Sequence, residues 1–411
     1  MNIKYKPSSF VIYGLGIFFL MYFFSPFEYH IYSFEGAIYF FMAFFFLFAG
    51  IKLMEVKVIG KSNEYNVIIT KKAEIVLITI MLLSCLFFII FIKNIISLLP
   101  IYRFANEDLR AKLSESRPFV TKVAEIVIKM GPACYLIISR VGQCKYRYTK
   151  LFSYICFFFP IISILAIGAR SSAVIGIFLL IVNELQLNKS SKYFIKKKTY
   201  WQRIKKIIIV CSLFIIGYFI YSLFSSRQVD SGSQYLFIPG DCRIKNFYNE
   251  LNVNNSLNPL YNSMFYYTHS FPVFTYFYTK EIPTNPFIYQ FSFITVVLEG
   301  LHLLDKGPMH VAKQLPTSGL FATFIPMYIS DYGKILALLA IFLTGIIFGW
   351  GYWSSTKAGI GFFILSPILI QLFVSPIYFW NVGGIDYIIL WTVIIYFLLK
   401  FFGIRISIKS K

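Results

Sequence analysis

Residues 164–180 read ILAIGARSSAVIGIFLL, an apolar run broken by one charge, Arg170, inside the small-residue cluster Gly168-Ala169-Arg170-Ser171-Ser172. An arginine at the centre of a bilayer costs at least about 2.5–3.5 kcal/mol on insertion scales, so one span with Arg170 at mid-depth is disfavoured. The run reads instead as the end of one span, 151–168, and the start of another, 172–187. A tight turn between them keeps the guanidinium at the membrane surface, where it can snorkel to headgroups. The fold then depends on how many such spans the chain holds and where their turns fall.

The chain has 411 residues, 58% of them hydrophobic and 20% aromatic, and only 14% charged. A soluble domain carries about 25% charge, so the composition is that of an integral membrane protein. Apolar stretches recur from end to end, which predicts a single membrane domain over 1–411. Ten segments approach the roughly 20 apolar residues that a spanning helix needs: 9–27, 33–51, 74–92, 123–139, 151–168, 172–187, 207–224, 335–353, 359–378 and 386–403. The fourth is the weakest, since it carries Glu125, Lys129 and Pro132. The first lacks a small-x-small cleavage site and ends in bulky Tyr22-Phe23-Phe24, so it reads as an uncleaved span.

A net charge of +21 on a soluble surface would suggest nucleic acid, but the distribution of the charge points elsewhere. With the N-terminus cytoplasmic, one side collects Lys52 to Lys72, Arg140 to Lys150, Lys189 to Lys206, and Lys357, Arg405, Lys409 and Lys411. The other side holds fewer, so the positive-inside rule predicts cytoplasmic termini and no nucleic-acid partner. The six cysteines form no CxxC pair and imply no disulfide framework.

One outer segment, 225–333, far exceeds the usual loop length. Its aromatic stretches PLYNSMFYYTHSFPVFTYFY (259–278) and PFIYQFSFITVVLEGLHLL (286–304) read as re-entrant or interfacial helices, or as a further pair of spans, giving 10–12 in all. Arg170 and Arg227 both fall at outer span ends beside serines, with Ser171 and Ser172 leaving room for a ligand. Guanidinium forks bind phosphate in a bidentate way and stay charged, so the pair suits a lipid diphosphate as well as two unrelated snorkelling residues. All four histidines fall on the same predicted side, and His269 and His310 are candidate general bases, with Glu299 beside them. Glu299, His302 and Lys306 would share one face of an interfacial helix. No HExxH, DxD, P-loop, GxGxxG or GxSxG pattern occurs, which predicts neither metal nor cofactor.

The plan as a whole resembles the O-antigen polymerases (Wzy-type), the oligosaccharide repeat-unit polymerases. The resemblance rests on GARSS opening a span, one dominant outer loop before the last spans, and the stretch LPTSGLFATFIPMYISDYGKILAL (315–338) with Asp331-Tyr332-Gly333 leading into a helix. It implies an all-α polytopic, GT-C-like fold and a metal-independent glycosyl transfer on the outer face of a bacterial inner membrane. The substrate would be an undecaprenyl-diphosphate-linked oligosaccharide, and the partners a chain-length regulator and a flippase. By that resemblance Arg170 would steady the departing diphosphate, with Arg227 joining it by position. Arg243, Ser171, Ser172 and Asp331 are further substrate-binding candidates. The related O-antigen ligases share much of this plan. A flippase for the same lipids and a membrane protein without chemistry are the readings from other classes.

Overall fold

The computed structural model describes residues 6–58, 65–98, 119–142, 144–166, 170–188, 242–251, 258–282, 284–301, 303–304, 323–357, 359–377 and 384–408. Pro7–Phe23 (α1) and Phe34–Glu55 (α2) flank the short strand Phe27–Tyr29 (β1). Strand Tyr65–Ile69 (β2) leads into Lys71–Leu98 (α3), followed by Phe119–Ile128 (α4), Met130–Ile138 (α5), Thr149–Phe157 (α6), Phe159–Ala166 (α7) and Arg170–Asn188 (α8). After strand Cys242–Ile244 (β3) come Asn246–Leu251 (α9), Asn258–Thr268 (α10), Ser270–Tyr278 (α11) and Ser292–Gly300 (α12). Ile325–Thr356 (α13), Gly361–Val374 (α14), Ile385–Phe402 (α15) and strand Ile404–Ile408 (β4) complete the chain.

Among the described residues five helical segments are long and apolar enough to cross a membrane: Phe34–Glu55, Lys71–Ile96, Thr149–Ala166, Ile325–Thr356 and Ile385–Phe402. Three expected spans are shorter apolar helices, Pro7–Phe23, Ala173–Gln186 and Gly361–Val374. The fourth expected span is broken into α4 and α5, and the one at 207–224 lies outside the described residues. The fold is mostly helical, as an all-α membrane protein requires, and two short antiparallel strand pairs mark opposite ends of the bundle. β1 pairs with β3, and β2 pairs with β4.

Prolines explain the broken helices. Pro132 has no N–H to give the Ile128 carbonyl four residues back, and the Ser84 hydroxyl donates to that oxygen at 2.9 Å instead. Pro160 likewise frees the Cys156 carbonyl, which lies against Gly131, where no Cβ could stand. Pro272 breaks α10 from α11 at His269 in the same way.

The tightest pairing is α2 against α13. Gly345 and Gly349 present a small-xxx-small seam in which a Cβ at Gly345 would meet the Leu47 carbonyl, and one at Gly349 the Ile51 carbonyl. In a membrane, where apolar burial gives little drive to helix pairing, such close backbone approach supplies the dispersion contact. Large apolar side chains point outward around it, Phe34, Phe45, Leu339 and Ile347 among them, as a lipid-facing surface does.

α13 is two helices joined at Gly333, which has φ +71°. The Tyr328 and Thr344 hydroxyls lie 2.7 Å apart although 16 residues separate them, a distance of about 24 Å along a straight helix. The arm 325–332 therefore folds back on the rest. Its start reaches inward, since the Phe324 ring packs edge-on against Phe44, ten residues into α2, at 5.3 Å.

Candidate functional site

The two ends of the bundle use their polar groups differently. At the β2/β4 end two buried carboxylates and a buried arginine tie segments together. Glu55 accepts the Ser8 N–H at 2.9 Å and its hydroxyl at 2.8 Å, satisfying the first turn of α1. Glu74, fully buried, accepts from the Lys145 and Tyr146 N–H groups and from the Thr149 hydroxyl, at 2.6, 3.0 and 2.6 Å, holding the start of α6. Arg140, one of the charges counted to the predicted cytoplasmic side, is buried. It donates to the Leu136 carbonyl at 3.1 Å, to the Asn183 side-chain oxygen, to Gln186 at 3.0 Å and to Ser366 at 3.1 Å, tying α5 to α8 and α14.

At the β1/β3 end the backbone is broken and reversed. α10 and α11 cap it: the Thr268 hydroxyl meets Tyr29 at 2.6 Å, Phe271 packs on Phe19 and Phe40, and Tyr278 lies over Gly36. These contacts stay within the last turns of α1 and the first two of α2. The stretch 259–278 is therefore two short helices, broken at His269, packed on this end of the bundle. α8 runs antiparallel to α14, with Phe178 near Phe373 and Asn183 near Ser366, which puts the Arg170 start of α8 at this same end.

His269 stands at the α10/α11 break, buried, with its ring stacked on Phe265 at 4.9 Å. Its Nδ1 lies 2.7 Å from the Phe265 carbonyl, an acceptor only. The proton is thus on Nδ1. Next to it, Ser270 donates to the Pro376 carbonyl at 2.9 Å, joining this break to the end of α14.

Lys129, at the α4/α5 break, is only 4% exposed. Its Nζ is 3.9 Å from the Glu125 carboxylate and 4.5 Å from the centre of the Tyr387 ring, a cation–π contact. The stem lies against Gly384, whose φ of +66° starts α15 and where a Cβ would collide with the lysine. A cation inside apolar helices marks a functional site by default, and Glu125 is its carboxylate partner.

Asp331 closes the re-entrant arm. Its carboxylate accepts from the Tyr289 N–H at 3.1 Å and the Gln290 N–H at 2.8 Å, while the Ser330 carbonyl accepts from Asn285 N–H at 2.7 Å. Expected as a substrate-binding group, Asp331 is engaged in holding the turn that leads into α12. That helix packs on α4 and carries Glu299, whose Oε2 is buried with no hydrogen-bond partner among the described residues. α12 ends at Gly300, and His302 and Lys306 lie beyond it, outside the described residues, as do Arg227 and His310. Ser171 and Ser172 follow Arg170 in the first turn of α8, and Arg243 sits in β3 opposite Glu28.

The site candidates thus fall into two groups. Asp331 and Glu299 share the substructure built on the turn at 285–291, whereas His269 sits against α1 and the Pro376 turn. The partners of Lys129 escaped sequence reading, because Tyr387 and Gly384 lie more than 250 residues away. Among the described residues no group of three His, Cys, Asp or Glu side chains stands close enough to hold a metal ion. Comparison of the chain with protein-family models, with curated proteins and with solved structures finds no match.

Proposed function

We propose that this membrane-embedded chain is a glycosyltransferase that joins lipid-diphosphate-linked oligosaccharide repeat units into O-antigen or capsular polysaccharide. The reaction would take place on the outer face of a bacterial inner membrane, with both termini cytoplasmic. The observation that carries the reading is the contrast between the two ends of the bundle. Carboxylates at the β2/β4 end are spent on helix starts, while the other end offers broken and reversed backbone, the buried His269 at one of its breaks, and a Glu299 oxygen with no hydrogen-bond partner among the described residues. Arg170 opens α8 at that second end.

In the reaction the acceptor sugar hydroxyl attacks the anomeric carbon of the donor glycan. The carbon–oxygen bond to the diphosphate breaks, and the diphosphate leaves with the electron pair. The hydroxyl proton passes to a carboxylate or imidazole, for which Glu299, His269 and His310 are the candidates. Arg170 and Arg227 would neutralise the departing diphosphate, and Ser171, Ser172 and Arg243 would line its approach. Undecaprenyl diphosphate is the carrier, and a chain-length regulator and a flippase are the expected partners.

Deleting the gene should reduce the surface glycan from a ladder to a single repeat, with the ladder restored by wild type and not by Arg170→Ala. Arg170→Lys should restore it poorly, because an ammonium lacks the bidentate fork. Full restoration by lysine would remove the diphosphate clamp from the account. Lys129, a cation buried among helices, favours a second reading as a flippase. Loss of all surface glycan, with lipid-linked units trapped inside the cell, would support it.

A further inference from the structure

A separate cavity of about 480 Å³ opens at the β1/β3 end, between the end of α11 and the Gly333 turn. It is lined by Thr279, Lys280, Glu281, Ile329, Gly333 and Lys334, none of which the proposed glycosyl transfer uses. The size falls within the roughly 300–1,000 Å³ of small-ligand sites.

Both ammonium groups on its wall are steadied by the protein. Lys334 Nζ donates to the Tyr278 carbonyl at 3.1 Å and lies 4.0 Å from the centre of the Tyr278 ring. Its own carbonyl accepts from the Tyr39 hydroxyl, which fixes the backbone at this point. Lys280 Nζ lies 4.7 Å from the centre of the Tyr276 ring. Two lysines against one carboxylate leave the cavity with a formal excess of one positive charge. Both lysines are exposed, so their remaining N–H donors are free to meet an anion.

The cavity also sits at a boundary. Immediately after Lys334, Ile335 is 85% exposed and Leu336 59%, the start of the lipid-facing side of α13. A molecule filling the cavity would have its polar part among the lysines and an apolar part along that helix. Free inorganic phosphate would leave the apolar wall unused.

We infer that this cavity binds the phosphate-bearing headgroup of a lipid, with Lys280 and Lys334 holding the phosphate and Glu281 accepting from a neighbouring hydroxyl or amine. Two sources carry that chemistry, an ordinary anionic phospholipid and a polyprenyl diphosphate.

The test uses the full chain in phosphatidylcholine nanodiscs with spin-labelled phosphatidylglycerol as the probe. Wild type should show an immobilised lipid component that Lys280→Gln and Lys334→Gln each weaken and the double variant weakens at least tenfold. Lys357→Gln, at the opposite end of α13, should leave it unchanged. Lys334→Arg should retain binding, which separates charge from local folding. Competition then names the source: displacement at lower concentration by polyprenyl diphosphate assigns the cavity to the isoprenoid, and by unlabelled phosphatidylglycerol to bulk phospholipid. Unaltered binding in the double variant, or displacement by neither lipid, would overturn the inference. Failure here leaves the glycosyl-transfer proposal standing, because the binding assay does not involve elongation.

Discussion

At the residue scale, the buried carboxylates of Glu55, Glu74 and Asp331 each join another segment by accepting from its backbone N–H groups. Glu74 is the sharpest case, with two N–H donors and one hydroxyl on a fully buried side chain. Glu74→Ala would leave the buried Thr149 hydroxyl without its acceptor, while the Lys145 and Tyr146 N–H groups, on exposed residues, can turn to water, so a loss of about 1–3 kcal/mol is expected. Thermal unfolding of the detergent-solubilised protein measures it. Glu74→Gln keeps one acceptor oxygen and should lose less, while an unchanged midpoint for the alanine variant would deny Glu74 its structural role. Glu74 and Asp386 lie in the first turns of α3 and α15, and Glu125, which marks the fourth span as weak in the sequence, lies one turn before the α4/α5 break. The sequence does not show how Arg140 and Asp331 are held, because burial in the first case and long-range backbone acceptance in the second depend on residues more than 40 positions away.

At the element scale, hydropathy finds the helices but not their breaks. Pro132 flags the weak fourth span in the sequence, yet Pro160 and Pro272 act in the same way in segments that read as continuous. The fold-back at Gly333 is likewise hidden in an apolar run, since hydropathy carries no information about backbone φ. The seam between α2 and α13 was legible as Gly345-Ile346-Ile347-Phe348-Gly349, a small-xxx-small pattern. Its consequence can be measured. Gly345→Leu puts a side chain onto the Leu47 carbonyl and must part the helices, with an expected cost of about 1–3 kcal/mol or more. Leu343→Ala, on the half-exposed side of the same helix, should change stability by no more than about 0.5 kcal/mol. Equal melting temperatures for the two variants would show that the seam does not hold the pair together.

At the scale of the whole molecule, the two ends of the bundle differ in how their polar groups are held. At the β2/β4 end the buried Glu55 and Glu74 hold helix starts, and the β1/β3 end collects reversed backbone, His269, Glu299 and the lysine-lined cavity. The membrane character was plain from composition, whereas two ends with different duties emerge only once partners distant in sequence are brought together. The most direct test of the proposed chemistry is reconstitution of the purified chain in vesicles with a lipid-diphosphate-linked oligosaccharide as the only substrate. The account predicts lipid-linked glycans of two, three and more repeats, released diphosphate lipid in equal number to the bonds formed, and loss of both in Arg170→Ala. Lipid-linked units that cross the bilayer without lengthening would contradict it.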